Sequence, residues 1–171
     1  MTRMQLVVIG NGMAGMRTVE ELLQLAPDKY DITVIGREPH GNYNRIMLSP
    51  VLAGEKAFED IVIHPLSWYA ERGITLLAGH TVTGVDRVQR CVSTDQGVVV
   101  RYDRLLLATG SVPFMIPMPG HDHPDVISFR DIADVRRMLA PSATPPRVVV
   151  LGGGLLGLEA ANGLVKQGMA V

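Results

Sequence analysis

The sequence is poor in cysteine, in basic runs and in long apolar stretches, and each shortage removes a class of protein. One cysteine, Cys91, occurs in 171 residues. It cannot form an internal disulfide or by itself a cysteine metal site, and the composition fits a reducing cytosol. Lys and Arg number 16 against 17 Asp and Glu, a net charge of −1. The two signs are interspersed, so no stripe engages a phosphate backbone and nucleic acid is not an expected partner. No window approaches the roughly 18 apolar residues that cross a bilayer. The opening run Leu6 to Ile9 stops at Gly10, far short of a signal-peptide core, and Leu105 to Ala108 is cut by Thr109-Gly110. No membrane association is expected, and the cytoplasm is the expected location. Apolar residues at 47% and charged residues at 19% describe an ordinary globular chain with room for one domain and a fraction of another. Glycine is what the chain has in excess: 18 residues, against an average usage of about 7%.

Those glycines punctuate a recognisable order. Gln5 to Ile9 is, beyond Gln5 itself, an apolar run rich in β-branched residues, as in a parallel strand buried on both faces. Ala14 to Leu25 carries Met16, Val19, Leu22 and Leu23 at helical spacing, with Arg17, Glu20, Glu21 and Gln24 opposite, and Ala26-Pro27-Asp28 ends it. Ile32 to Ile35 predicts a second buried strand, so the opening is a strand, helix, strand unit. A loop from Gly36 to Asn44 precedes an amphiphilic stretch, Arg45 to Leu52. Pro65 to Arg72 reads as a helix and Ile74 to Leu77 as a third parallel strand. Val82 to Arg87, Gln89 to Thr94 and Val98 to Tyr102 predict an antiparallel meander, and Leu105 to Ala108 returns to the buried parallel pattern. The proline-rich stretch Ser111 to Asp125 reads as a crossing, followed by a helix at Ile132 to Leu139 and a second cluster, Pro141, Pro145 and Pro146. Arg147 to Leu151 then repeats the opening strand, with a glycine turn and a helix, Leu158 to Lys166, behind it. The fold class is α/β: a doubly wound, Rossmann-like domain with an antiparallel β-meander over residues 1–112, a connection over 113–146, and the start of a second Rossmann-like domain over 147–171.

The first turn is Gly10-Asn11-Gly12-Met13-Ala14-Gly15, a G-x-G-x-x-G between strand and helix. Its first glycine permits the tight turn, its second lets a pyrophosphate meet bare backbone, and its third lets helix and strand pack closely. The helix start, with Met13 and Ala14, offers free N–H groups and a partial positive charge to phosphate. Dinucleotide binding is therefore expected here. An acidic residue at the end of the second strand should hold the ribose. Asp31 opens that strand at the wrong end of the sheet, and Gly36 closes it without a side chain, so Glu38 is the candidate. The second turn, Gly152-Gly153-Gly154-Leu155-Leu156-Gly157, repeats the motif. Two turns imply two nucleotides, such as a flavin and a nicotinamide. Only Met169, Ala170 and Val171 follow Gly168, where the next strand would begin, so the chain is expected to be the front part of a longer protein.

With its paired turns the sequence resembles the flavoprotein pyridine-nucleotide oxidoreductases, in which an NAD(P)H domain is inserted into an FAD domain. Tyr102-Asp103-Arg104-Leu105-Leu106-Leu107-Ala108-Thr109-Gly110 resembles the element in which a strand ends in Thr-Gly beside FAD, and Gly157-Leu158-Glu159-Ala160-Ala161 resembles the helix start whose glutamate faces the nicotinamide and flavin. The stretches VIGNGMAGMRTVEELL, ITVIGREPHGNYNRIMLSPVLAGE, DRLLLATGSVPFMIPMPGHD and FRDIADV are similar to the N-terminal region of the assimilatory NAD(P)H-nitrite reductase large-subunit family. The resemblance implies FAD contacts from Gly10, Gly12, Met13, Ala14, Gly15, Glu38, Arg45, Val82, Ala108, Thr109 and Gly110. It implies NAD(P)H contacts from Gly152, Gly154, Leu155, Leu156, Gly157 and Glu159. Arg45 would meet the FAD pyrophosphate and Val82 the adenine through its backbone. In that family NAD(P)H reduces FAD and electrons pass to siroheme and iron–sulfur centres, which this chain lacks the cysteines to hold. They would lie in downstream domains, so downstream redox domains or a small subunit are the expected partners.

Two departures from related families limit the chemistry. The Asn42 to Leu52 region has no cysteine, so disulfide reduction is absent, and Leu48-Ser49-Pro50 stands where ferredoxin and rubredoxin reductases often have Leu-Ser-Lys. Reductases for ferredoxin, rubredoxin or nitrate reductase remain an alternative, as does a nucleotide-binding module without turnover. No side chain needs to act as a general acid or base in such a hydride transfer. His121-Asp122-His123 has metal-ligand chemistry but reads as a polar loop, so no metal site is expected. His40 and His64 read as surface or cofactor-edge residues, Cys91 as a packed thiol, and the scattered methionines as core filler.

Overall fold

The computed structural model describes residues 2–140 and 147–171. In chain order the elements are β1 (Met4–Ile9), α1 (Met13–Leu25), β2 (Tyr30–Gly36), β3 (Asn42–Tyr43), α2 (Leu48–Leu52), β4 (Val62–His64), α3 (Leu66–Glu71), β5 (Thr75–Ala78), β6 (Val82–Asp86), β7 (Cys91–Thr94), β8 (Val99–Arg101), β9 (Arg104–Leu107), α4 (Ile132–Met138) and α5 (Leu155–Lys166). Short 3-10 turns at Arg45–Met47 and Glu59–Ile61 flank α2 and β4. The proline cluster Pro141, Pro145 and Pro146 lies outside the described residues. Two compact units result, one of residues 1–43 and 62–110, the other of 44–61 and 111–171. Among the described residues, no helix is long and apolar enough to cross a membrane.

In the first unit a parallel sheet runs β5-β2-β1-β9. Val7 of β1 lies opposite Thr33 of β2 and Leu105 of β9, which fixes the register. Successive side chains leave a strand on opposite faces, and the apolar run of β1 divides accordingly. Leu6 and Val8, with Ile32 and Val34 of β2, join Met16 and Val19 of α1, Tyr69 of α3 and Ile74 in one core cluster. Val7, Ile9 and Ile35 turn to the other face and meet Val92 of the antiparallel meander β6-β7-β8. Each fully buried aliphatic side chain is worth about 1.5–3 kcal/mol in water exclusion, so the apolar run Leu6 to Ile9 of β1 stabilises both layers. The helix on one face and the meander on the other agree with the predicted strand-helix-strand opening and three-strand meander.

The predicted burial of the last parallel strand needs correction. β9 has β1 as its neighbour on one edge, and Leu107 is 65% exposed. An apolar run does not distinguish a central strand from an edge strand.

The second unit contains α2, α4 and α5. α2 packs on α4 and α5. Gly163 of α5 allows this approach, because a Cβ there would stand 2.9 Å from Leu52 Cγ. Gln167 Nε2 donates to the Leu52 carbonyl at 3.0 Å. α4 starts on a capping box: Asp134 N donates to Asp131 Oδ1 at 3.0 Å, and Asp131 N donates to Asp134 Oδ2 at 3.3 Å. The predicted strand Arg147 to Leu151 is not formed. Arg147 makes a single parallel bridge to Ala170, and Val149 is 90% exposed. A parallel strand needs neighbours along its length to satisfy its backbone, and one bridge does not supply them. The helix behind it starts at Leu155, three residues earlier than predicted, directly at the glycine turn.

Candidate functional site

The two glycine turns have the same construction. Gly10 and Gly152 open them at φ +115° and +127°, conformations that L side chains rarely adopt. Gly15 closes the first: a Cβ there would lie 2.6 Å from the Gly10 carbonyl oxygen and 3.1 Å from Ala108 Cβ. Gly157 closes the second in the same way, with a Cβ 2.0 Å from the Gly152 carbonyl oxygen. The middle glycines differ from these. Gly12 and Gly154 are the N-caps of α1 and α5, with φ, ψ of −83°, 175° and −75°, 173°, extended values open to any residue. A Cβ at either would have nothing within 4 Å. Packing and backbone strain give no reason for glycine at 12 or 154, and Ser, Asn or Asp would cap the helices better.

The space in front of those two glycines is lined by donors. Gly12 O accepts the first bond of α1 from Met16 N at 3.0 Å, and Gly154 O that of α5 from Leu158 N at 3.0 Å. The N–H groups of Met13, Ala14 and Gly15, and of Leu155, Leu156 and Gly157, come before those bonds and have no intrahelical acceptor. No side chain caps either helix. Bare backbone, donors without an intrahelical acceptor and the positive end of a helix dipole suit a pyrophosphate at each turn.

Ala108, Thr109 and Gly110 follow β9 beside the first turn. A Cβ on Gly10 would lie 2.1 Å from the Ala108 carbonyl oxygen and 3.2 Å from Thr109 N. Glu38 sits past the C-terminal end of β2, part-buried, and accepts a hydrogen bond from the Tyr43 hydroxyl at 2.6 Å. Val82 opens β6 opposite Thr94. Arg45 belongs to the second unit, where its Nη1 donates to the Arg130 carbonyl at 2.8 Å. Glu159, on the second turn of α5, accepts from the Ser49 hydroxyl of α2. The structure thus brings Gly10 to Gly15 together with Ala108 and Thr109, while Arg45 and Glu159 belong to the second unit, as the second turn does.

A buried polar network behind the first turn has no counterpart in the sequence reading. Asn11 turns its side chain away from the turn's open side and into the unit. Its Oδ1 accepts from the Tyr69 hydroxyl at 2.6 Å and its Nδ2 donates to the His40 carbonyl at 3.1 Å. Its carbonyl accepts from Asn42 Nδ2 at 3.0 Å, and the Asn42 N–H donates to Tyr69 Oη at 3.1 Å. Asn42 Oδ1 lies 3.3 Å from His64 Nδ1, and His64 Nε2 lies 2.8 Å from Glu20 Oε1. His64, expected at the surface or cofactor edge, is buried, because β4 pairs it with Asn42 and its ring packs at a tilt against Trp68, with centroids 4.0 Å apart. Burial pushes the Tyr69 phenol above its ordinary range, while its hydrogen bonds to Asn42 and Asn11 pull it back in part.

An α/β chain with two such turn-and-helix constructions is a dinucleotide-binding protein of the doubly wound kind. The chain belongs to the pyridine nucleotide-disulphide oxidoreductases, whose family pattern matches residues 4–171. That family consists of enzymes that use FAD and NAD(P)H. The chain is 51% identical over its whole length to nitrite reductase [NAD(P)H] of Bacillus subtilis (strain 168) and covers 21% of that protein. It is 46% identical, again over its whole length, to the assimilatory nitrate reductase electron transfer subunit of the same organism, of which it covers 22%. Among solved structures, the covalent putidaredoxin reductase–putidaredoxin complex contains a chain with the same fold, at a TM-score of 0.80 and 29% identity, matching 99% of this chain and 41% of that one. The chain therefore spans about a fifth of the length of these two curated relatives.

Proposed function

We propose that the first turn holds the pyrophosphate of FAD, that the second holds that of NAD(P)H, and that the whole protein passes reducing equivalents from the nicotinamide through the flavin to nitrite. The observation that carries this reading is glycine at 12 and 154, where nothing in the protein opposes a side chain and only an approaching ligand would. FAD, when bound, supplies the redox centre that takes a hydride from NAD(P)H. The chain's own residues bind and orient. Met13, Ala14 and Gly15 donate N–H groups to the FAD phosphates, Arg45 adds a guanidinium, and Glu38 accepts from the adenosine ribose. Val82 meets the adenine, and Ala108, Thr109 and Gly110 line the flavin side. Gly152, Gly154, Leu155, Leu156 and Gly157 receive the NAD(P)H phosphates, with Glu159 towards the nicotinamide. None of these residues needs to exchange a proton for the transfer.

Nitrite as final acceptor rests on the 51% identity to the Bacillus subtilis nitrite reductase. The 46% identity to a nitrate reductase electron transfer subunit supports a second reading, in which the electrons leave for a separate reductase. The whole protein, supplied with FAD and NADH or NADPH, separates the two. Formation of ammonia from nitrite by the protein alone supports the first. Oxidation of NAD(P)H that proceeds only when a separate electron acceptor is added supports the second.

A further inference from the structure

We propose that the two-residue strand Asn42–Tyr43 is a positioning bracket for the ADP half of FAD, with Asn42 fixing the phosphate turn and Tyr43 fixing the ribose carboxylate of Glu38. The inference rests on the FAD site proposed above and names residues that the glycine motif and its acidic partner do not include. Neighbouring side chains of a strand point to opposite faces, so one short segment can hold two parts of a site at once. Asn42, 1% exposed, gives its Nδ2 to the Asn11 carbonyl in the middle of the turn. Tyr43, 5% exposed, gives its hydroxyl to Glu38 Oε2 at 2.6 Å.

Two close approaches explain why this bracket is needed and how it is seated. Gly36 closes β2 where an acidic residue usually contacts the ribose. A Cβ at Gly36 would lie 2.7 Å from Asn11 Cβ, because the Asn11 side chain fills that space on its way to Tyr69 and His40. The carboxylate must then come from further along, from a loop residue that would otherwise lose rotamer freedom on binding. Tyr43 holds it in advance. Gly41, just before the bracket, comes so near β4 that a Cβ there would stand 2.1 Å from the His64 carbonyl oxygen, so the segment is pressed against its partner strand. The loop after β2 is also tied to the loop after β5, with Gly79 N donating to the Glu38 carbonyl at 3.2 Å and His80 N to the Gly36 carbonyl at 3.0 Å.

The test is a double-mutant cycle on binding, with ADP and FAD as probes in the full-length protein. Tyr43→Phe keeps the buried ring and removes only the hydroxyl. It should weaken both FAD and ADP by about tenfold, the size of one lost hydrogen bond to a charged group, with the melting temperature of the apoprotein unchanged to within a few degrees. Glu38→Gln should weaken both to a similar degree, and the double variant should be no weaker than Glu38→Gln alone, because Tyr43 acts through that carboxylate. Equal affinities in wild type and Tyr43→Phe, or losses that add in the double variant, overturn the bracket while leaving the FAD site in place. Failure of the unaltered protein to bind FAD or ADP removes the site itself, and the bracket with it.

Discussion

Gly12→Ala separates the demands of the fold from those of a ligand. The backbone at 12 is extended, with φ −83° and ψ 175°, and the added methyl would find nothing within 4 Å. Replacing glycine by alanine at an N-cap costs about 0.5–1 kcal/mol. Reduced freedom of the unfolded chain returns about 0.4–1 kcal/mol where the native backbone already suits alanine. The net change in stability is therefore within about 1 kcal/mol, or about 2–4 °C in melting temperature for a chain of this size. Binding should respond differently. The methyl projects into the space a pyrophosphate would enter and displaces it from the N–H groups of Met13 and Ala14. Losing one hydrogen bond to a charged group costs about 1.5–3 kcal/mol, so FAD affinity should fall by about ten- to a hundredfold. Calorimetric titration with FAD, paired with thermal unfolding of the apoprotein, reads both quantities on one preparation. An alanine variant that binds FAD as tightly as wild type would refute the assignment of this turn to the phosphates. A variant that melts more than about 10 °C lower would refute the claim that the fold leaves position 12 open.

Gly15→Ala should give the opposite pattern. Its Cβ would lie 2.6 Å from the Gly10 carbonyl oxygen, an overlap that requires backbone movement and should cost about 1–3 kcal/mol or more. Thermal unfolding of the apoprotein checks it, and the loss should appear without any nucleotide. Tyr69→Phe should lower stability by about 2–4 kcal/mol, because it leaves Asn11 Oδ1 and the buried Asn42 N–H without the hydroxyl that serves both; denaturant unfolding measures it. The raised Tyr69 value also fixes a sign with pH. The neutral phenol is favoured in the folded state, so its contribution is complete below the ordinary value of 10.0 and is lost as pH rises through the higher folded value. An ultraviolet titration should show a late-ionising phenol step that is missing in Tyr69→Phe.

Much of the first unit was legible from local pattern because its elements are governed by local rules. β1 is apolar from Leu6 to Ile9 since both its faces are covered there, by α1 and α3 on one side and the meander on the other. Met16 and Val19 sit one helical turn apart on the buried face of α1, as their spacing indicates. The same rule misled at Arg147 to Leu151, where an apolar run met a single bridge at Ala170. Hydrophobicity reports what a segment can bury and says nothing of whether a neighbour is there to bury it. The glycine motifs were legible as a pattern, but their division of labour was not. Only the coordinates separate Gly10 and Gly15, which the fold requires, from Gly12, which it does not. The network of Asn11, Asn42, His64 and Tyr69 left no periodic trace. Asn42 falls in a stretch whose glycine, proline and asparagine content marks a loop, and its partners lie 22 to 31 residues away in the chain. A signal did exist in retrospect: a polar pair, Asn42 and His64, brackets a segment with buried aromatic and aliphatic residues, among them Tyr43, Leu52 and Ile61.

The central claim is that two glycine turns of one construction serve two different nucleotides, one passing a hydride to the other. Anaerobic titration of the FAD-loaded whole protein with NADH and with NADPH, followed through the flavin absorbance, tests it most directly. The expected result is one FAD retained per chain and bleaching of its absorbance by one equivalent of at least one of the two reduced nucleotides, with both retention and bleaching diminished in Gly12→Ala and bleaching alone diminished in Gly154→Ala. A protein that retains no flavin, or whose flavin stays oxidised with either nucleotide, would contradict the account.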